Sequence, residues 1–164
     1  THEGVRNATK KALRAAKEAG AVISFDPNLR EPLWNSLDEA KEQVLYGLGL
    51  CDILKISDNE IQWLTGEEDF TKGVHWILER YHIPLILVSM GKEGSRAYYK
   101  DLIVEAKPFI QKNTIETTGA GDTFCACVLH YVLEHGLTDL TENGLKEMQM
   151  QRHPLSLHAK VHSA

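Results

Sequence analysis

Six consecutive residues, Thr117 to Asp122, carry the clearest chemical signal in the sequence. The string Thr-Thr-Gly-Ala-Gly-Asp runs directly into an apolar stretch, Thr123 to Leu133, that is typical of a helix. A glycine turn that opens a helix leaves backbone N–H groups unpaired at the positive end of the helix dipole. Glycine there also lets an anion approach the backbone closely. The pattern therefore predicts an anion site.

Asp122 adds a carboxylate to the same helix start. A carboxylate repels a resting phosphate, so its presence suggests a hydroxyl between the two, whose proton Asp122 accepts. The arrangement then indicates phosphoryl transfer to an alcohol. The alternative is an ordinary loop with an acidic residue in the first turn of the next helix, and taken alone the four-residue pattern favours that alternative.

Composition limits the classes of function. The chain has 164 residues, 43% of them hydrophobic and 25% charged, which is ordinary for one globular core. A net charge of −5 without a basic block argues against nucleic acid and against an anionic membrane surface. No apolar run approaches the length of a membrane span and no secretory signal is visible, so we expect a cytoplasmic protein. Three cysteines are predicted to be core thiols: Cys51, Cys125 and Cys127.

Repeated strand–helix units are predicted to position the glycine turn and Asp122. Buried apolar runs separated by amphipathic helices indicate an α/β domain with a mostly parallel sheet and right-handed crossovers. The predicted helices are Val5 to Ala19, Ser36 or Asp38 to Leu48, a short helix ending at Leu64-Thr65-Gly66, and Thr71 to Tyr81. The predicted strands are Ala21 to Phe25, Asp52 to Ile56, Leu85 to Met90, and an antiparallel pair, Ser95 to Tyr99 with Leu102 to Ala106.

Several polar or glycine residues fall at strand ends or helix starts. Ligand contacts of open α/β sheets gather at that edge, which makes these positions site candidates. Each has an alternative: turn chemistry for Asn28 and Arg30, a favourable dipole contact for Glu60, and tight turns without a ligand for Gly91 and Gly94.

Four segments together resemble the ribokinase-like (PfkB) carbohydrate kinases. They are ISFDPNLREPLW, LKISDNEIQWLTGEE, ILVSMGKEGS and TIETTGAGDTF, in the family's order and covering most of residues 1–148. The resemblance implies a ribokinase-like three-layer αβα fold, incomplete at both ends. The DPNLREPLW version, with Trp34, is most similar to the fructokinase and 2-keto-3-deoxygluconate kinase branches, and we favour fructokinase.

The resemblance also implies roles for the candidate residues in transfer of the ATP γ-phosphoryl group to a sugar hydroxyl, most simply that of fructose. Asp122 would be the catalytic base, and Gly119, Ala120 and Gly121 would form the anion hole. Glu60 would help to hold Mg²⁺, partly through water. The remaining residues would contact the nucleotide or the transferred phosphate: Ser89, Gly91, Gly94 and Thr118 by the nucleotide, Asn28 and Arg30 near the phosphate.

Two departures from the family pattern weaken parts of this assignment. Glu116 stands where the family more often has Asp, which bears on any cation contact in that loop. Ser57 stands where the acidic segment usually carries Asn, so assistance to Mg²⁺ from that side is left to Glu60.

Both ends of the chain differ from the family. Relatives are considerably longer, so we expect a C-terminal-half fragment with weak or no kinase activity by itself; family members are often homodimers. Residues 1–148 are predicted to be the kinase part, and 149–164 an aberrant tail. In the family, an Ala-Asn-Ala helix segment and a following Lys-Gly-Ala segment line the adenine side of the ATP pocket. In the neighbouring reading frame, codons for Gln149-Met150-Gln151 permit Ala, Asn or Asp, then Ala, so we predict a frameshifted tail; a genuinely divergent tail is the alternative.

Two other functions stay open from the sequence. One is a 2-keto-3-deoxygluconate kinase, which differs only in the acceptor. The other is a nucleotide-binding module without catalysis, in which ATP binds and no sugar is phosphorylated.

Overall fold

The structure is a computed structural model that describes residues 2–108, 119–138 and 140–150. The chain divides into two compact units, Thr1–Ile86 and Leu87–Ala164. The predictions for Glu116, Thr117 and Thr118, and for the tail from Gln151 onward, lie outside the described residues.

The first unit is built from strand–helix repeats. Its helices are α1 (Glu3–Glu18), α2 (Leu37–Leu48), α3 (Asp58–Thr65) and α4 (Phe70–Arg80), with a short 3₁₀ turn at Glu31–Leu33. Its strands are β1 (Ser24–Phe25), β2 (Ile53–Ser57) and the start of β3 (Leu85–Ser89).

The second unit begins within β3 and continues as a hairpin and two helices. Its further elements are a 3₁₀ turn (Gly91–Glu93), β4 (Ser95–Tyr99), β5 (Leu102–Ala106), α5 (Ala120–His135) and α6 (Glu142–Met150). Within the described ranges, every helix is too short or too polar to span a membrane.

Five strands form one mixed, mostly parallel sheet in the order β1-β2-β3-β4-β5. The β1–β2 pair is parallel, with Ser24 opposite Ile53 and Phe25 opposite Leu54. The β4–β5 pair is antiparallel over its whole length, from Ser95 opposite Ala106. The expected α/β class and the predicted hairpin are therefore confirmed.

Local capping chemistry explains where the helices of the first unit begin and end. The side chains of Ser36, Ser57 and Asp69 accept hydrogen bonds from first-turn backbone N–H groups of α2, α3 and α4. At the end of α3, Gly66 adopts the left-handed conformation that favours glycine. These are signals that a sequence displays directly, and the predicted helices agree with the observed ones to within one or two residues.

The core lies along the central strands. The first four residues of both β2 and β3 are buried, as expected for strands covered on both faces. Helix α1 differs from the other helices of the first unit because none of its residues is buried.

One strand prediction was wrong in extent. The run Ala21 to Phe25 was expected to be a buried strand, but only Ser24–Phe25 is strand and Val22 is 57% exposed. The Ile23 carbonyl accepts from Asp52 N (2.8 Å) and Ile53 N (3.1 Å), and Asp52 Oδ2 accepts from Ile23 N (2.8 Å). Pairing with β2 thus starts at Ile23, and the two residues before it remain exposed.

Candidate active site

The start of α5 has the geometry that an anion site requires. Gly119 is its N-cap, in the left-handed conformation (φ +82°), and Ala120 is the first helical residue. Gly119 carries no capping side chain, so the first-turn N–H groups have no partner within the helix. In the part of the chain that the structure describes, no atom beyond those of its chain neighbours lies within 4 Å of where a Gly119 Cβ would be.

Asp122 is the third residue of α5 and is exposed. It shares the first helical turn with Ala120 and Gly121, so its carboxylate belongs to the same helix end as their amides. The turn is stabilised independently of Asp122, because the Gly119 carbonyl accepts from both Thr123 N (2.8 Å) and Thr123 Oγ1 (2.9 Å). Asp122 is therefore not needed as a cap.

The turn after β3 places Ser89, Gly91 and Gly94 close together. Ser89 is the last residue of β3, and Met90 N donates to Gly94 O at 2.9 Å across the 3₁₀ turn. Among the described residues, nothing lies within 4 Å of a Cβ added at Gly91 (φ +52°), whereas a Cβ at Gly94 (φ +104°) would overlap the Ala106 carbonyl oxygen. A close backbone approach is thus sufficient reason for a glycine at position 94, and no such approach constrains Gly91.

In the first unit, Glu60 joins the loop that follows β1. Its Oε1 accepts a hydrogen bond from Leu29 N at 2.7 Å. Its Oε2 accepts from Ser57 N and Ser57 Oγ, both at 2.9 Å, and Ser57 Oγ in turn accepts from Glu60 N, which completes a capping box. The structure therefore brings Glu60 together with the loop that carries Asn28 and Arg30.

Asn28 and Arg30 are exposed on that loop. Asn28 has a left-handed backbone (φ +44°), which asparagine tolerates better than most residues. Among the described residues, the Arg30 guanidinium donates to the neighbouring Leu29 carbonyl at 3.3 Å, a weak local hydrogen bond that uses one of its five N–H donors.

The family model for the pfkB family of carbohydrate kinases matches residues 2–147. The chain belongs to this family. The resemblance stated from the four sequence segments is thus confirmed.

Fructokinases are among its most similar curated relatives. The chain is 40% identical over 132 residues to probable fructokinase-2 of Arabidopsis thaliana, covering 80% of this chain and 40% of that protein. It is 38% identical over 146 residues to fructokinase-2 of Solanum lycopersicum, covering 89% of this chain and 44% of that protein. The chain therefore spans well under two thirds of the length of these relatives.

Solved structures of carbohydrate kinases also match this chain. A fructokinase from Vibrio cholerae O395, in its fructose-, ADP- and calcium-bound form, matches with a TM-score of 0.78 and 30% identity, over 92% of this chain and 48% of that one. Aminoimidazole riboside kinase from Salmonella enterica matches with a TM-score of 0.79 at 23% identity, over 99% of this chain and 60% of that one, which shows the ribokinase-like fold alone.

In the described part of the chain, the acidic side chains do not gather into a metal-binding cluster. No group of three or more His, Cys, Asp or Glu side chains lies close enough there to hold a metal ion. Such a cluster is not required for Mg²⁺, which usually keeps several waters and takes one or two carboxylates together with substrate phosphates.

Sequence reasoning missed one buried ion pair beside the loop that carries Asn28 and Arg30. Lys55, in the middle of β2, is only 6% exposed, and its Nζ lies 3.1 Å from Asp26 Oδ2. A lysine inside the apolar run DILKI is the signal that could have revealed it, because a buried ammonium needs a partner.

Proposed function

We propose that the chain is the phosphoryl-transfer part of an ATP-dependent fructokinase. The observation that carries the proposal is the start of α5, where Gly119 opens a helix in the left-handed conformation with Asp122 in its first turn. Because the chain belongs to the pfkB family of carbohydrate kinases, phosphoryl transfer is the reaction that we assign to that helix start.

In this proposal Asp122 accepts the proton of the sugar hydroxyl as the hydroxyl oxygen attacks the γ-phosphorus of ATP. The bond between that phosphorus and the β,γ-bridging oxygen breaks, and ADP leaves. The amides of Gly119, Ala120 and Gly121 donate to the oxygens on which negative charge develops. Phosphoryl transfer needs little covalent chemistry from the protein beyond alignment and charge stabilisation, so one base and a set of oriented amides form an adequate core.

Other residues complete the proposed site. Glu60 helps to hold Mg²⁺ through a bridging water. Three hydrogen bonds from described residues already use its carboxylate, so about one acceptor position of four, on Oε1, is left by these residues for that water. Ser89 and Gly91 border the nucleotide, together with Thr118, and Gly94 shapes that turn. Asn28 and Arg30 contact the transferred phosphate.

Fructose is the proposed acceptor because the relatives are fructokinases at about 40% identity and a fructose-bound fructokinase is among the structural matches. We propose ATP with Mg²⁺ as the donor, the cytoplasm as the location of the activity, and a homodimer as the assembly of the complete kinase. Since the chain spans 40% of the first relative, we expect the isolated 164 residues to be weakly active or inactive in steady-state assays.

A sensitive transfer assay tests this function. The 164-residue chain at high concentration is incubated with fructose and Mg²⁺-ATP that carries a labelled γ-phosphate, and phosphorylated fructose is resolved by chromatography over hours. We expect slow label transfer, reduced about 10²–10⁴-fold in Asp122→Asn, the usual contribution of a positioned general base.

Each outcome has a clear meaning. Near-normal transfer by Asp122→Asn would remove this residue from the role of base. Binding of ATP, seen as a raised melting temperature, without any labelled sugar would favour the nucleotide-binding module. Robust steady-state turnover by the isolated chain would contradict the expected weak activity.

A further inference from the structure

The loop Asp26–Arg30 is held on one side by an ion pair that the sheet register creates. Because β1 and β2 run parallel with Phe25 opposite Leu54, the next residues along, Asp26 and Lys55, come side by side. Lys55 Nζ lies 3.2 Å from Asp26 Oδ1 and 3.1 Å from Oδ2, and the lysine side chain is only 8% exposed. A buried ammonium is costly unless it is paired, so this contact fixes the first residue of the loop.

On the other side the loop is held by Glu60. Its Oε1 accepts from Leu29 N at 2.7 Å, while its Oε2 is bound to Ser57 at the start of α3. A charged acceptor makes a hydrogen bond roughly twice as strong as a neutral one. The carboxylate thus ties the backbone of the loop to a capped helix end.

Between these two attachments lies the unfavourable part of the backbone. Asn28 has φ +44°, a left-handed conformation that is unfavourable for most residues with a Cβ and that asparagine tolerates better than most. The residues fixed by hydrogen bonds or charge flank Asn28, whereas the side chains of Asn28 and Arg30 are exposed. The attachments therefore fix the backbone from which those two side chains extend.

We propose that Lys55 and Glu60 are positioning residues of the phosphoryl-transfer site. The Lys55–Asp26 ion pair and the Glu60–Leu29 hydrogen bond hold the loop so that Asn28 and Arg30 meet the transferred phosphate already oriented. This inference rests on the proposed function, which assigns the phosphate contact to Asn28 and Arg30. Lys55 touches neither substrate, and its effect passes entirely through the loop.

Amide hydrogen exchange in the ¹⁵N-labelled 164-residue chain tests the attachment without any ligand. In Lys55→Met we expect the Leu29 amide to exchange at least about 10-fold faster, with the amides of α4 unchanged, and we expect Lys55→Arg to restore protection. Lys17→Met is the matched control: it breaks another Lys–Asp ion pair of the same unit, Lys17–Asp52 (2.9 Å), away from this loop, and should leave Leu29 unaffected.

If Lys55→Met does not fold, Asp26→Asn takes its place, because it removes the charge of the partner while keeping its shape. A folded variant of either kind with unchanged Leu29 exchange would overturn the inference.

Titration with Mg²⁺-ATP separates the inference from the function on which it rests. We follow the Arg30 Nε–H resonance and expect at least 5-fold weaker ATP affinity in Lys55→Met, restored in Lys55→Arg. No response of Arg30 in the unmodified chain would defeat the proposed phosphate contact, while the exchange data would still report whether the loop is held. A response in Lys55→Met with undiminished affinity would defeat the positioning role alone.

Discussion

Gly91 and Gly94 belong to one turn, yet their surroundings differ. Both have positive φ, a backbone conformation that is strained for a residue with a Cβ. Among the described residues, a Cβ at Gly91 would meet nothing within 4 Å, but a Cβ at Gly94 would overlap backbone atoms of Ala106, which cannot move aside as a flexible side chain could. The two glycines are therefore expected to respond differently to the same substitution.

We predict that Gly94→Ala destabilises the chain by about 2 kcal/mol or more beyond Gly91→Ala, since it adds overpacking to the shared conformational cost. Urea unfolding of both variants measures the difference. For ATP affinity we expect the opposite order of effects. Gly91→Ala should keep most of the free energy of unfolding and yet bind ATP more weakly. Equal free energies of unfolding would contradict the close approach seen at Gly94.

Cys51 is a core thiol, as the sequence predicted. It is buried, and desolvation, reinforced by the neighbouring charge of Asp52, raises its pKa to about 12. The thiolate is the reactive form, and at pH 8 a pKa of about 12 lowers the thiolate fraction about 10³-fold relative to the ordinary value of 9.0. Burial further restricts access.

We therefore predict that iodoacetamide alkylates Cys51 at least about 10³-fold more slowly in the folded chain than in urea at pH 8, as read by peptide mass spectrometry. The unfolded chain is the internal control because it carries the same thiol without burial. Because the pKa is raised, the protonated form is the one that folding favours, so this contribution to stability is present below pH 9 and is lost as pH rises toward 12. Comparable alkylation rates in the two states would contradict the burial.

At the scale of elements, α1 is attached by polar contacts. Arg6 pairs with Glu39 of α2, Lys17 pairs with Asp52 just before β2 (2.9 Å), and Lys10 lies 4.7 Å from the centre of the Tyr46 ring. The hydrogen bond from Arg6 lowers the pKa of the Glu39 carboxyl. None of these contacts is deeply buried, so salt should screen them.

We predict that α1 loses protection against amide exchange when NaCl is raised to about 1 M, where the screening length falls to ~3 Å. Helix α4, with three buried residues, should keep its protection. Equal protection of α1 and α4 at high salt would contradict this prediction.

Acid should also weaken the attachment of α1. Because the pKa of the Glu39 carboxyl is lowered in the folded chain, its contact with Arg6 stabilises the fold above the unfolded pKa of 4.5, and this contribution is lost as pH falls through the folded pKa. Arg6→Gln should remove most of the response to acid.

The elements also show what the sequence could and could not predict. Helix bounds were predictable because their signals are local: Ser36 at the start of α2 and Gly66 at the end of α3 act within a few residues. The exposure of Val22 was not, because it depends on where β1 meets β2. The pairing of Lys55 with Asp26 likewise requires the register of two strands that lie about thirty residues apart along the chain.

For the chain as a whole, the order of four segments was enough to predict the family, which the match over residues 2–147 confirms, and the α/β fold, which the five-stranded sheet confirms. The residue roles followed from the same motifs and remain proposals. Gly94 shows why a motif is insufficient: the close approach of the Ala106 carbonyl is by itself enough to require a glycine there.

The end of the described chain bears on the proposed change of reading frame. Helix α6 continues to Met150, and Gln149 is buried with its side chain fully engaged: Ser95 Oγ donates to Oε1 (2.8 Å), and Nε2 donates to the carbonyls of Val104 (3.2 Å) and Leu145 (3.1 Å). A glutamine in that position is thus compatible with the core of the second unit. The proposed change of reading frame at Gln149 therefore begins inside a helix that still packs.

We predict that the coding DNA of Gln149 to Ala164, read in the neighbouring frame, spells the family's Ala-Asn-Ala segment and the following Lys-Gly-Ala segment. Because the family resemblance assigns these segments to the adenine side of the nucleotide site, a chain with that frame restored should bind ATP more tightly than the present chain, measured by calorimetry. The matched control restores the frame but carries Ala in place of the restored Asn. Codons that spell unrelated residues in that frame would end the hypothesis and leave a genuinely divergent tail.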